Sequence, residues 1–303
     1  MTINHQSLID NAVAFREKLP ANKIFEINEL FKMPKFFDWV ECHPTDISNF
    51  KMYLAGGDDG VALRFFWNGM YEKFTLKLWG HFALRGGVII DIGAHTGAYS
   101  LTAYSVDSKA KIISFEPHFM NFARLNMNLR GNNYSTAGIL MLGAGEKNEV
   151  QPFSISTSLS YLSRGGSVGK RSNSIVQDIK LVSLDQYLPE EIKDQIKLIK
   201  IDVEGHEAPC LRGMINLIGK CRPVIFLECI SSASGIEVTS QLRKLDYLFF
   251  IIDDVTGVIS PVEDISPEIG TNGKLVMSRL NRIGIPSKEL ISYLKSFPND
   301  RVR

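Results

Sequence analysis

The chain has 303 residues, and its 34 lysines and arginines nearly balance 33 aspartates and glutamates, for a formal net charge of +1. A protein held by phosphate contacts usually carries a strong basic excess, so this balance disfavours a general nucleic-acid binder. The hydrophobic fraction of 45% and the charged fraction of 22% are globular averages that exclude a chain disordered as a whole.

The N-terminal segment, residues 1–81, is predicted to be an α-rich extension that shapes the substrate site. Its pattern predicts a short helix around residues 9–15 and a second helix capped by Thr45-Asp46. A strand is predicted over residues 61–67. A stripe of apolar residues at i, i+3, i+7 and i+11 then predicts an amphipathic helix over 71–82.

From Val88 onward, short apolar runs alternate with amphipathic helices. Strands are predicted at 88–90, 111–115, 138–142, 196–203, 224–228, 247–252 and 275–278, with helices at 119–129, 209–219 and 238–245. Such alternation predicts a doubly wound α/β sheet, which we place at residues 82–283 and follow with a tail helix at 284–303.

The segment between the third and fourth strands, residues 146–178, is longer than a crossover requires and is predicted to be an insertion or hairpin loop. It contains a basic stretch rich in Gly and Ser, residues 163–172. Two interpretations stay open. We favour a solvated connector, and the alternative is a basic lid that helps to hold an anionic acceptor.

The first strand of the sheet runs directly into a glycine turn, Asp91-Ile92-Gly93-Ala94-His95-Thr96-Gly97. The first turn of a doubly wound sheet is a favoured ligand crevice, and glycine there lets a ligand approach the backbone. A dinucleotide fingerprint would read G-x-G-x-x-G and bind pyrophosphate. Asp91 would repel pyrophosphate but attract the ammonium group of S-adenosylmethionine, so the pattern favours that cofactor.

A second acid, Glu116, ends the next strand, immediately before Pro117. It follows Asp91 by 25 residues, near the spacing at which an acid binds ribose hydroxyls. The alternatives are a helix cap for Glu116 and a buried carboxylate bonded to backbone amides for Asp91. The predicted cofactor-binding residues are Asp91, Gly93, Ala94, His95, Gly97, Glu116, Pro117, Gly143 and Asp202.

The sequence resembles the FkbM-type family of S-adenosylmethionine-dependent methyltransferases over roughly residues 70–280. The segments that carry the resemblance are Val88 to Gly97, Phe115-Glu116-Pro117, Leu198 to Gly213 and Pro223 to Glu228, and the most specific is the K-x-D-x-E-G-x-E run that begins at Lys200. The resemblance implies a class I methyltransferase fold, a Rossmann-like sheet of seven strands with a reversed last hairpin. It also implies methyl transfer to a hydroxyl of a sugar or natural product. The family often has Asn where His95 stands.

Acidic and histidine side chains cluster where the fourth and fifth strands end, and an alcohol acceptor needs a base near its hydroxyl proton. We hypothesise that Asp202 or His206 accepts this proton, while Glu204 and Glu228 orient the acceptor or the base. Lys200 is expected to pair with a carboxylate. Glu207 is expected to cap the following helix.

Three readings of the function are kept. The leading one is an O-methyltransferase with a small-molecule or glycan hydroxyl acceptor, and the alternatives are an NAD-dependent oxidoreductase or epimerase and a non-catalytic binding module. The same carboxylates could bind Mg²⁺, but we predict no metal. Tyr71, Trp79 and Tyr161 could stack on a sugar, although core packing is favoured.

The remaining sequence signals concern compartment and cysteine chemistry. The four cysteines form no C-x-x-C pair and are interpreted as reduced core residues, not zinc ligands. The first ten residues lack the apolar stretch of a signal peptide, and no apolar run approaches the ~18 residues that span a bilayer. These features predict a cytoplasmic protein without a membrane span, and the oligomeric state cannot be read from them.

Overall fold

A computed structural model describes residues 5–20, 23–156 and 166–297. The helices are α1 (His5–Arg16), α2 (Ile27–Leu30), α3 (Gly60–Asn68), α4 (Lys73–Ala83), α5 (Ala98–Val106), α6 (Phe119–Gly131), α7 (Leu184–Tyr187), α8 (Glu190–Lys193), α9 (Glu207–Arg212), α10 (Ile215–Cys221), α11 (Ser232–Arg243) and α12 (Lys288–Lys295). The strands are β1 (Phe37–Cys42), β2 (Phe50–Ala55), β3 (Val88–Ile92), β4 (Lys111–Phe115), β5 (Ile139–Leu140), β6 (Gly143–Ala144), β7 (Glu149–Ser156), β8 (Gly166–Val168), β9 (Ser174–Val182), β10 (Ile196–Ile201), β11 (Val224–Glu228), β12 (Leu248–Ile252), β13 (Ile259–Val262) and β14 (Asn281–Ile285). None of the helices in these ranges is long and apolar enough to cross a bilayer.

The central sheet has the strand order β13-β12-β14-β11-β10-β3-β4-β5. Strands β11, β10, β3, β4 and β5 are parallel, and β14 lies antiparallel between β11 and β12. This order confirms the predicted α/β class and its reversed last hairpin. In the described residues the central sheet has eight strands where seven were predicted, because β13 pairs with β12 at the sheet edge. Since β3 and β10 are neighbours whose connections run in opposite directions, their carboxyl ends form the ligand crevice expected of such a sheet.

Side-chain alternation along β3 shows how the sheet is sandwiched between two layers. Ile89 belongs to the apolar cluster that contains α4 and α5, whereas Ile90 and Ile92 belong to the cluster that contains α10 and α11. Successive side chains of a strand point to opposite faces. Asp91 therefore shares the α4–α5 face with Ile89, and the register places Lys200 of β10 directly beside it.

The insertion between β5 and β10 forms a second sheet of four strands in the order β6-β9-β7-β8. Strands β7 and β9 are antiparallel over eight residue pairs, and they bury a small core of Phe153, Ile179 and Leu181. The predicted basic stretch is therefore partly built into strand β8. Tyr161 and Arg164 lie outside the described residues.

Two element predictions in the N-terminal segment are wrong. The helix predicted after Thr45-Asp46 is strand β2, paired with β1, because Phe50, Met52 and Leu54 are buried at a period of two. The strand predicted over residues 61–67 is helix α3. An apolar run of this length fits either element, and the side chain of Asp59 decides by accepting hydrogen bonds from the first-turn amides.

Two predictions near the C-terminal half are corrected as well. The seventh predicted strand, 275–278, is wrong, since residues 277–279 form a 3₁₀ turn and β14 begins at Asn281. The buried Arg282 and Gly284 interrupt the apolar pattern of β14 and conceal it. The helix predicted over 209–219 is divided at Gly213, where a Cβ would lie 1.9 Å from the carbonyl oxygen of Gly145. Within the tail predicted as a helix over 284–303, α12 covers Lys288–Lys295, whereas residues 284 and 285 belong to β14.

Candidate active site

A cavity of about 390 Å³ opens at the carboxyl ends of β3, β4, β10 and β11. The predicted site residues that line it are Gly93, Ala94, His95, Glu116, Pro117, Gly143, Asp202, Glu204, His206 and Glu228. Asp91 and Gly97 stand behind this surface. The sheet topology thus brings together residues that are separated by more than a hundred positions in the chain.

The fold itself requires glycine at two positions of the turn, whether or not a ligand binds there. Gly93 has φ +76°, and a Cβ there would lie 1.7 Å from the carbonyl oxygen of Asp202. The amide of Asp202 donates to the carbonyl of Ile92 at 3.0 Å, so the ends of β3 and β10 touch at this point. Gly97 has φ +105° and packs against Leu125. Both glycines therefore fix backbone positions, beyond the ligand access expected from the sequence.

Asp91 is a buried carboxylate beneath the turn. One of its oxygens accepts a hydrogen bond from the Ser100 hydroxyl at 2.6 Å, and the other has no hydrogen-bond partner among the described residues. Burial raises the pKa of Asp91, and the neighbouring Lys200 ammonium opposes this rise. Its charge reaches the cavity only across the turn.

Glu116 holds the backbone at the end of β4 and lines the cavity. Its carboxylate accepts hydrogen bonds from the amides of His95 and His118, each at 2.8 Å, and it also lines the cavity. Burial raises its pKa to about 7. The contact with the His95 amide holds that residue at φ +51°, a left-handed conformation that Asn adopts more readily than His.

Three carboxylates meet where β10 and β11 end. Oxygens of Asp202, Glu204 and Glu228 lie within 4.8 Å of one another. The Lys200 ammonium lies 3.0 Å from Asp202, as expected from the sequence, and it keeps the pKa of Asp202 below its usual value despite burial. The Asp202 charge together with burial raises the pKa of Glu228 well above its usual range. Lys200 thus offsets the charge of Asp202, and the raised pKa of Glu228 favours its protonated form. The cluster also has the oxygen ligands to hold a divalent cation.

His206 lies at the start of α9 in the cavity wall. Its Nε2 is buried and has no hydrogen-bond partner in the described part of the chain. Burial, assisted by the charge of Arg212, lowers the pKa of His206, so the ring is neutral near pH 7 and can accept a proton. Glu207 is itself the first residue of α9. Its carboxylate accepts hydrogen bonds from the Gly205 amide and the Ser234 hydroxyl, so it holds the preceding loop and α11 in place.

A polar group on the α4 side of the cavity includes Glu72 and Tyr99, which were not predicted as site residues. Tyr71 and Tyr99 line it, and both phenols hydrogen-bond to the carboxylate of Glu72. Burial raises the pKa of Glu72 to about 7. The sequence favoured core packing over sugar stacking for Tyr71 and Trp79. Trp79 is fully buried, whereas Tyr71 lines the cavity. The left-handed φ of +38° at Glu72 leaves no readable sequence signal.

The rest of the cavity wall comes from outside the sheet. The N-terminal segment contributes Ile27, Asn28, Phe31, Gly60, Val61 and Arg64, and the insertion contributes Phe153, Gly166, Val168, Ile179 and Leu181. The site is therefore a crevice at the sheet edge that two additional parts of the chain enclose.

Comparison with known proteins agrees with this arrangement. The family described as "Methyltransferase FkbM domain" matches residues 91–249, slightly more than half of the chain. The hexuronic acid methyltransferase AglP of Haloferax volcanii is 27% identical over 173 residues, which cover 57% of this chain and 68% of that protein.

Two solved structures have lower similarity. The FkbM methyltransferase of Methylobacillus flagellatus KT is 16% identical with a TM-score of 0.42, and the match covers 74% of this chain and 53% of that one. The chain therefore spans about half the length of that protein. A SAM-dependent O-methyltransferase from Thermotoga maritima is 14% identical with a TM-score of 0.35, over 68% of this chain and 63% of that one.

The family match includes the glycine turn, Glu116 and the acidic cluster, and it decides against the dinucleotide-dependent alternative. The chain therefore belongs to the FkbM methyltransferase family and is a methyltransferase whose methyl donor is S-adenosylmethionine.

Proposed function

We propose that the chain is an O-methyltransferase that modifies a hydroxyl group of a sugar or natural-product acceptor. The observation that carries the proposal is that His206, whose lowered pKa leaves the ring neutral near pH 7, lines the same cavity as the glycine turn and the acidic cluster. A hydroxyl acceptor must lose its proton during methyl transfer, and a neutral imidazole is suited to take it.

The residues around the glycine turn fit the cofactor. The cavity volume of about 390 Å³ lies within the ordinary range of small-molecule sites. We place the amino-acid part near Gly93 and Ala94, and the ribose at Glu116, whose carboxylate can accept from hydroxyls in addition to the two amides. Acidic walls complement a cationic ligand. When bound, S-adenosylmethionine supplies an electrophilic methyl group on its sulfonium.

The β10–β11 side of the cavity would hold the acceptor. We assign Asp202, Glu204 and Glu228 to hydrogen bonds with acceptor hydroxyls, and His206 to removal of the proton from the reacting hydroxyl. Asp202 is less suited to this task, because Lys200 stabilises its charged form. The N-terminal extension, 1–81, and the insertion, 146–178, would shape the acceptor pocket. The hexuronic acid methyltransferase similarity supports a sugar as the acceptor class.

The test compares His206→Gln with the wild type. We expect S-adenosylhomocysteine to bind both proteins with equal affinity by calorimetry, while transfer of isotopic methyl groups to a panel of glycans and hydroxylated compounds falls by about 10²–10⁴-fold. In the wild type, the rate should rise with pH through the lowered pKa of His206 and then level off.

The matched control is His81→Gln. The pKa of His81 is also lowered by burial, but its ring stacks on Tyr293 away from the cavity. We expect this variant to keep wild-type turnover. Unchanged turnover in His206→Gln would remove His206 from the mechanism, and cofactor binding without methyl transfer to any hydroxyl would contradict the proposed acceptor chemistry.

A further inference from the structure

Helix α3 places the guanidinium group of Arg64 in the cavity wall. The Nη1 of Arg64 donates to the carbonyl of Gly60 at 3.1 Å, and the guanidinium carbon lies 5.8 Å from the centre of the Tyr71 ring. The side chain is half-buried and lines the cavity. Within residues 5–20, 23–156 and 166–297, no carboxylate forms an ion pair with it.

Lys200 also lines the cavity but, unlike Arg64, has an ion-pair partner. Lys200 is paired with Asp202 and also lies beside Asp91, so its charge is balanced inside the protein. Removing a cation from water is unfavourable unless a counter-charge or hydrogen-bond acceptors replace the water. The free edge of the Arg64 guanidinium meets this need best with a carboxylate, whose two oxygens match its parallel N–H donors.

We propose that Arg64 binds a carboxylate of the methyl acceptor, so that the acceptor is an acidic sugar or another hydroxy acid. This inference rests on the proposed function and names the class of its substrate. The carboxylate would anchor the acceptor at α3, while a hydroxyl of the same molecule reaches the acidic cluster and His206 in the same cavity.

A carboxylate in this cavity could also come from the amino-acid part of the cofactor. Two observations favour the acceptor. Arg64 packs on Tyr71, which lies within electrostatic reach of Asp202 and Glu228, where the acceptor hydroxyl is placed. In addition, α3 lies outside the segment 91–249 that the family shares. A residue that selects one acceptor is expected outside the shared segment, whereas cofactor contacts are expected within it.

The experiment measures binding to the protein saturated with S-adenosylhomocysteine. The probes are the methyl glycosides of glucuronic and galacturonic acid, with the methyl glycosides of glucose and galactose as their neutral counterparts. We expect the wild type to prefer the acids, and Arg64→Gln to reduce their affinity by about 10–100-fold without changing that of the neutral glycosides. Arg64→Lys should be intermediate, because it keeps the charge but loses the planar fork.

The control is Arg85→Gln, which removes an exposed guanidinium that lies over Tyr293 outside the cavity and should change none of these affinities. A fall in S-adenosylhomocysteine affinity in Arg64→Gln, with the preference for acids unchanged, would assign Arg64 to the cofactor and overturn the inference. Equal binding of acids and neutral glycosides by the wild type would also overturn it, while methyl transfer to a neutral sugar would leave the proposed function intact. Acid binding that depends on Arg64 without any methyl transfer would support the anion site and contradict the proposed function.

Discussion

At the ends of β3 and β4 the carboxylates accept hydrogen bonds from amides and a hydroxyl, whereas at the ends of β10 and β11 three carboxylates lie against one another. Glu116 accepts from two backbone amides, and Asp91 accepts from Ser100. Asp202 keeps its charge because Lys200 lowers its pKa, whereas the raised pKa of Glu228 favours its protonated form. The acids at the ends of β3 and β4 fix the structure around the glycine turn. Those at the ends of β10 and β11 keep charge that can interact with a reacting ligand.

The ends of β3 and β10 touch at Gly93, so Gly93→Ala should have the largest effect on stability. Its Cβ would collide with the Asp202 carbonyl at 1.7 Å, and the residue would also be strained at φ +76°. We expect the free energy of unfolding to fall by about 4 kcal/mol or more, with loss of cofactor binding. Urea denaturation and calorimetry with S-adenosylhomocysteine measure the two effects.

The control for this collision is Gly86→Ala, which has a similar φ of +72° but no atom within 4 Å of the added Cβ. It should reduce stability by only about 1 kcal/mol, the contribution of backbone strain alone. Similar losses in the two variants would show that strain, and not the contact between β3 and β10, makes glycine necessary at position 93.

Lys200→Met should have the next largest effect, because it leaves Asp202 and Asp91 without their shared counter-charge. We expect a loss of about 3 kcal/mol at pH 7. Lys200 lowers the pKa of Asp202, so the stability from this pair is present at neutral pH and is lost as the pH falls through the lowered value. The deficit of the variant should therefore shrink only as the pH falls below the ordinary 3.8 of an aspartate, which urea denaturation at pH 7 and at about pH 2 would show.

Lys220→Met is the matched control, since it removes an exposed lysine paired with Asp194 and Glu190. Exposed pairs contribute less than about 1 kcal/mol, so its loss of stability should be small. A Lys200→Met protein as stable as this control would mean that the acidic cluster needs no internal cation.

Glu72 gives a third test. Its buried carboxylate accepts hydrogen bonds from Tyr71 and Tyr99 and lies near Glu228 of the acidic cluster. Its pKa of about 7 in the folded state exceeds the ordinary 4.5, so between these values the folded protein keeps a proton that the unfolded chain releases. Its contribution to stability therefore falls as the pH rises from 4.5 to 7. Glu72→Gln mimics the protonated form and should be about 2 kcal/mol more stable than the wild type at pH 8.

At pH 4 the Glu72→Gln variant and the wild type should have similar stability in thermal or urea unfolding. Glu263→Gln changes a fully exposed carboxylate and should show no such dependence on pH. A Glu72→Gln protein that is less stable than the wild type at pH 8 would show that the charged carboxylate is required by the two tyrosines.

The same contrast explains which parts of the site could be predicted from the sequence. The glycine turn and the acidic cluster were found because each follows directly from a strand end, and parallel strands bring those ends to one edge. Arg64 reaches the cavity, and Glu72 the two tyrosines that line it, through the packing of α3 and α4 against the sheet, which is a tertiary contact. Arg64 was also hidden because its apolar neighbours suggested a strand, and only the cap by Asp59 distinguishes the helix.

The smallest effect should come from removing divalent metal. Asp202, Glu204 and Glu228 have the spacing of a cation site, but Lys200 already offsets the charge of Asp202, and the raised pKa of Glu228 favours its protonated form. We therefore expect methyl transfer to change by less than about twofold after dialysis against a chelator, since the cluster can orient a hydroxyl through hydrogen bonds alone. A loss of activity that Mg²⁺ restores, and that Glu228→Gln makes permanent, would instead assign the cluster to a metal.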